Sequence, residues 1–172
     1  MHNKVVFRAA KAATQAGLPA LRFNFRGVGK SSGSYSQGIG EVQDVTAALS
    51  YLAARFPAVP LCLIGFSFGA SVGLRVGASD PRVAVLVGLG VPVAVMDLNF
   101  LRGVIKPKLI VQGTLDQFGP RDAVERFYNS LAEPKQIHWV NNADHFFTGK
   151  LEEVQRVIRD FLKSVPDLPA AE

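Results

Sequence analysis

The sequence predicts an α/β fold, a three-layer α/β/α sandwich on a mostly parallel sheet, and three observations carry that prediction. Segments with apolar residues at helical spacing alternate along the chain with short apolar runs, the order of successive βα units. The run at residues 83–87 is apolar at every position, as a strand covered on both faces must be. Glycine and proline separate these segments, with no repeat or low-complexity tract. Such a chain winds right-handed and binds ligands beyond the carboxyl ends of its strands.

Val5, Val6, Ala9, Ala12, Ala13 and Ala16 recur at helical spacing after Asn3, an N-cap candidate, and Gly17 closes this first helix. Residues 20–25 are expected to form a strand. Residues 26–40 follow as a loop rich in glycine and serine, with Gly27, Gly29, Gly33, Gly38 and Gly40. Residues 41–56 read as an amphipathic helix buried through Val42, Val45, Ala48, Leu49 and Leu52, and Pro57 and Pro60 end it. A strand at 61–64, a helix at 68–78 and the strand at 83–87 come next, then a loop to Pro107. Residues 108–112 are a strand, 120–131 a helix with Pro120 in its first turn, 136–140 a strand and 148–163 the last helix. One domain over residues 1–164 and a frayed tail at 165–172 complete the expectation.

A chain of 172 residues, 48% hydrophobic and 19% charged, can bury a sizeable core, and no shift in composition marks a second domain. The net charge of +5 raises nucleic acid as a partner, but the lysines and arginines are scattered singly. Without a basic stripe carrying aromatics, nucleic acid is not expected. Cys62 is the only cysteine, so the chain has no internal disulfide and no cysteine metal site, and a small hydrophobe in a strand describes it. The longest apolar run, residues 83–96, is too short and too broken by Gly88, Gly90 and Pro92 to span a bilayer. The N-terminus lacks a signal-peptide core, so a cytoplasmic protein with no membrane partner is expected.

The strand at 61–64 breaks into Gly65-Phe66-Ser67-Phe68-Gly69, which continues as a small-residue helix. A serine at a sharp strand-to-helix turn stands clear of the backbone, and the first helical amides point at nearby negative charge. Gly65 and Gly69 are expected to leave room for the turn, and Ser67 to sit at positive φ. The bare pattern is weak; its flanking strand and helix give it meaning. Asp116 follows the strand at 108–112, and His145 follows the strand at 136–140. The order Ser, Asp, His is that of a hydrolase whose nucleophile sits on such an elbow.

The chain resembles the α/β-hydrolase superfamily, and within it the small lidless bacterial hydrolases related to dienelactone hydrolases. The likeness rests on His2-Asn3-Lys4-Val5-Val6, residues 21–31, Gly65-Phe66-Ser67-Phe68-Gly69, Val111-Gln112-Gly113 with Asp116, and Asp144-His145-Phe146-Phe147. It implies Ser67 as nucleophile, His145 as general base and Asp116 as its orienting acid. Dienelactone hydrolases proper carry cysteine at the serine position, so their substrate does not transfer. The resemblance also implies strands and a Gly-Gly segment ahead of His2 that this sequence lacks, and so an N-terminally truncated fold. The missing strand lies between those matching 20–25 and 61–64, which leaves a gap inside the sheet. The missing loop supplies one oxyanion-hole amide, leaving the Phe68 amide as the other, and loss of one such donor costs about a hundred- to thousandfold in rate.

Each assignment has a structural rival. Ser67 is also a plausible helix N-cap, Asp116 a cap for the helix near Pro120, and Asp97 a rival acid. His138 lies inside a strand and His2 at the start of the chain. Asp144 reads as a turn residue, Arg26 as an anion binder or a tie for its loop, and Glu41 and Asp44 as dipole partners of a helix start. Val91, Val93, Met96, Leu98 and Phe100 are candidates for an acyl pocket or for ordinary core.

The expected function is acyl transfer to water at an ester, thioester or amide of a small-molecule substrate, with no metal or organic cofactor, and with activity falling at acid pH as His145 protonates. The segment 89–106 is too short for a helical lid, so the site should be open. Two other classes compete. One is a non-catalytic interaction protein of the same shape. The other is a nucleotide-binding protein using Gly27-Val28-Gly29-Lys30-Ser31, although Asn24 stands where the phosphate loop requires its first glycine. An exposed sheet edge or internal gap makes a homo-oligomer a further expectation.

Overall fold

The structure, a computed structural model, describes residues 3–57, 59–166 and 168. His2, and the tail beyond residue 166 except residue 168, lie outside the described residues.

The chain opens with α1 (Lys4–Gln15), where Asn3 Oδ1 accepts the Val6 amide at 3.1 Å and so caps the first turn. After an irregular segment and a loop come α2 (Ile39–Arg55), β1 (Leu61–Phe66), α3 (Phe68–Ser79) and β2 (Val83–Leu89). A single 3₁₀ turn at Asn99–Leu101 interrupts the next connection. β3 (Lys108–Gly113), α4 (Arg121–Asn129), β4 (Lys135–Val140) and α5 (Leu151–Ser164) complete the fold. The four strands pair in parallel in the order β1-β2-β3-β4.

The strands' alternation sorts their side chains into two cores. Val85, Val87, Leu89, Leu109 and Val111 face Val5, Ala9 and Ala12 of α1 and Ile158 and Phe161 of α5. Leu63, Leu86 and Ile110 face Val45 and Leu49 of α2, Leu74 of α3 and Val124 and Phe127 of α4. A helix layer on each face makes the predicted three-layer sandwich. Each fully buried Val, Leu or Ile stabilises it by roughly 1.5–3 kcal/mol.

Residues 20–25 correct the sequence reading: they form no regular secondary structure and belong to no sheet. β1 pairs with β2 alone, and among the described residues no backbone hydrogen bond joins 20–25 to it. The segment is held by side chains, Phe25 packing edge-on against Phe23 and Phe68. Between it and β1 runs a groove of about 360 Å³ lined by Leu21, Phe23 and Phe25 on one side and Cys62, Ile64 and Phe66 on the other. Extended propensity is local, whereas a ladder needs a neighbouring strand within about 4.8 Å.

Three helix starts also differ. α2 begins at Ile39, two residues early, because the buried Glu41 carboxylate accepts the Ser36 and Gly38 amides at 2.8 Å each and fixes the turn. α4 begins at Arg121, with Pro120 as its N-cap. α5 begins at Leu151, three residues late. Asp144 captures the Phe146 and Thr148 amides and the Thr148 hydroxyl, while Phe147 and Gly149 adopt positive φ, so residues 144–149 form a compact turn. Among the described residues no helix is long and apolar enough to cross a membrane.

Candidate active site

The turn between β1 and α3 is as tight as backbone contact allows. A Cβ on Gly65 would stand 2.4 Å from the Gly69 carbonyl oxygen and 2.6 Å from Ala70 Cα, so strand and helix meet there without a side chain. Gly69 corrects the expectation that both glycines make room for the turn, since a Cβ on it would meet only Phe25 Cε2, at 3.9 Å. Ser67, between them, has φ 54° and ψ −123°, a conformation that costs on the order of 1–3 kcal/mol in a non-glycine residue. Its amide donates to the Leu89 carbonyl at 3.0 Å, and its carbonyl accepts from Ala70 and Ser71. Among the described residues the Phe68 amide, first in α3, donates to no protein acceptor and stands at the positive end of the helix dipole.

Ser67 Oγ lies 2.8 Å from His145 Nε2, and His145 Nδ1 lies 2.8 Å from Asp116 Oδ2. His145 and Asp116 are each 3% exposed. A carboxylate can only accept, so Nδ1 carries the proton and Nε2 accepts from the serine hydroxyl. The imidazole is packed by Phe118 at 4.7 Å, Phe66 at 5.0 Å and Phe146 at 5.3 Å between ring centroids. Gly90, at φ 52°, backs it: a Cβ there would come within 3.3 Å of His145 Cε1.

The two loops that bring His145 to Asp116 are joined backbone to backbone. A Cβ on Gly113 would stand 2.4 Å from the Ala143 carbonyl and 2.7 Å from that of Asp144. The Leu115 amide donates to Ala143, and Thr114 Oγ1 accepts the Asn142 amide. Fully buried Phe147 anchors the loop from below, and the Thr148 amide, with help from its hydroxyl and the Phe146 amide, holds the Asp144 carboxyl below its ordinary range. Asp144 is thus the turn residue the sequence suggests. Asp116 Oδ1 accepts the Phe118 and Gly119 amides, and its Oδ2 accepts a second donor besides His145, the buried Gln112 side chain at 2.8 Å.

Other candidates fall elsewhere. Asp97 is exposed and accepts the Asn99 amide. His138 Nε2 pairs with Glu153 at 2.9 Å. Arg26 binds the Asp44 carboxylate through Nε and Nη2 and donates its own amide to it, tying its loop to α2, and this hydrogen bonding holds the Asp44 carboxyl low. Gly27 to Ser31 lie in turns and no helix follows before Ile39, so no phosphate loop is formed. Val91 and Leu98 are buried in the core on the α3 side, and Met96 Sδ accepts the Ser71 hydroxyl. Burial pushes the Cys62 thiol up to about 12, leaving a neutral packing group. Among the described residues no group of three His, Cys, Asp or Glu is placed to hold a metal. Sequence reading passed over Phe118 and quoted Gln112 only within the likeness-bearing Val111-Gln112-Gly113, with no role of its own; the visible signal for one was an amide ending the apolar run Leu109-Ile110-Val111.

A hydroxyl donating to an imidazole whose other nitrogen donates to a carboxylate can give up its proton as it attacks an electrophile. Proteins similar to this chain include serine hydrolase homologues. Residues 1–164 match the family model described as alpha/beta hydrolase domain. The chain is 37% identical to an uncharacterized protein of Rickettsia prowazekii (strain Madrid E), over 96% of this chain and 73% of that one. It is similar to an alpha-beta serine hydrolase homologue from Coxiella burnetii, with a TM-score of 0.87 and 39% identity, covering 93% of this chain and 76% of the other. It is similar also to a serine hydrolase without lid from Xanthomonas campestris, with a TM-score of 0.88 and 34% identity, covering 98% and 77%. Fold, elbow and family model together place this chain in the alpha/beta hydrolase family.

Proposed function

We propose that this protein is a serine hydrolase that cleaves an ester, thioester or amide of a small acyl substrate. Ser67 attacks the carbonyl while His145 takes its proton; His145, held by Asp116, then protonates the leaving group and activates the water that frees the acyl chain. The observation that carries the reading is the pair of 2.8 Å hydrogen bonds linking Ser67 to His145 and His145 to Asp116. Its family and its serine hydrolase neighbours from Coxiella burnetii and Xanthomonas campestris support a hydrolase.

In this reading the Phe68 amide receives the oxyanion. No cofactor enters the reaction. The unpaired edge of β1 favours self-association, which would cover its free backbone groups.

Turnover of p-nitrophenyl acetate by the wild type, abolished in Ser67→Ala at unchanged melting temperature, supports the proposal. Equal turnover in both proteins contradicts it, and thermal stabilisation by ATP would favour the nucleotide-binding alternative.

A further inference from the structure

Gln112, next to last in β3, lies on the face covered by α3 and α4, and it is wholly buried. Both polar atoms of its amide are engaged. Oε1 accepts the Val91 amide at 2.8 Å, while Nε2 donates to Asp116 Oδ2 at 2.8 Å and to the Gly119 carbonyl at 3.2 Å. These partners admit one orientation: an N–H can only donate to Oε1, and a carboxylate and a carbonyl can only accept from Nε2. Room for the amide is made by Gly119, where a Cβ would stand 2.4 Å from Gln112 Nε2 and 2.4 Å from the Val91 carbonyl.

We infer that Gln112 is a positioning residue for the His145–Asp116 pair, an inference that rests on the serine hydrolase reading. Asp116 Oδ2 receives both Gln112 Nε2 and His145 Nδ1, so the amide sets the rotation of the carboxylate and takes up part of its negative charge. Through Val91 the same amide holds the end of β2, where Gly90 forms the wall behind the imidazole. One buried side chain thus fixes the acid on one side of His145 and the backbone on the other. An apolar residue there would leave the Val91 amide and Gly119 carbonyl unpaired and free the carboxylate to turn.

The test compares wild type with Gln112→Leu and Gln112→Met, two apolar replacements of which at least the flexible methionine is expected to fill the site. Two quantities are read on folded protein: the midpoint of the His145 imidazole titration by nitrogen-15 NMR, assigned with His145→Gln, and the rate of Ser67 labelling by a fluorophosphonate. Removing the donor concentrates charge on Asp116 Oδ2, so the midpoint should move to higher pH, and labelling should slow about tenfold, the rate equivalent of one supporting hydrogen bond. A purely structural glutamine would lower the melting temperature and move neither. An unchanged midpoint and labelling rate in a folded variant overturns the inference. A shifted midpoint with no labelling of Ser67 even in the wild type upholds the contact to Asp116 and refutes the hydrolase reading instead.

Discussion

Gly113 at the end of β3 and Ala143 after β4 meet with no room for a methyl group, since a Cβ on the glycine would stand 2.4 Å from the Ala143 carbonyl oxygen. Their contact sets the distance between the loop that carries Asp116 and the loop that carries His145. Gly113→Ala must therefore push the two apart. The expected result is about a hundredfold loss in kcat/KM for a p-nitrophenyl ester, the penalty for a displacement near 1 Å, with about 1–3 kcal/mol lost in urea denaturation.

The two glycines around Ser67 should part company. Gly65→Ala drives a methyl into the Gly69 carbonyl and Ala70, whereas Gly69→Ala meets only Phe25 at 3.9 Å. The first substitution should leave little soluble, active protein; the second should keep wild-type melting temperature and turnover. Equal damage from both would show that the tight approach lies elsewhere.

Much of this site is legible in the sequence because Ser67 directly follows β1 while Asp116 and His145 lie within the loops just past β3 and β4, and strand ends in a parallel sheet converge on one rim. What escapes is set by contacts that local pattern does not encode. Residues 20–25 have the composition of a strand, yet pairing needs a strand alongside, and among the described residues none is hydrogen-bonded to them. The start of α5 at Leu151 depends on the Asp144 side chain competing for amides that a helix would otherwise use. Gln112 reads as the polar end of a strand until Val91, Asp116 and Gly119 are seen around it.

Acid should loosen the loop before α2. The Asp44 carboxyl is held below its ordinary value chiefly by the Arg26 side-chain hydrogen bond, so its folded pKa lies under its unfolded one. Stability from this pair is then fully present above the unfolded value, about 3.9, and is lost as pH falls through the folded one. Urea midpoints measured from pH 6 to pH 3 should fall less steeply in Arg26→Gln than in the wild type. Parallel curves would remove the pair from the account.

Phe147 and Ile158 are wholly buried where the His145 loop and α5 meet the sheet. Phe147→Ala should cost about 3–5 kcal/mol and Ile158→Ala about 2–5 kcal/mol in chemical denaturation. Phe147→Ala should also cut kcat, because it removes the support under His145, while Ile158→Ala should leave kcat of the folded fraction near wild type.

The most direct measurement is peptide mass mapping of the protein after reaction with a fluorophosphonate, at equal times for wild type and His145→Ala. A single adduct on Ser67 that forms readily in the wild type and is nearly absent in His145→Ala is the predicted result. An adduct on another residue, or equal labelling of Ser67 with and without the imidazole, would contradict the account.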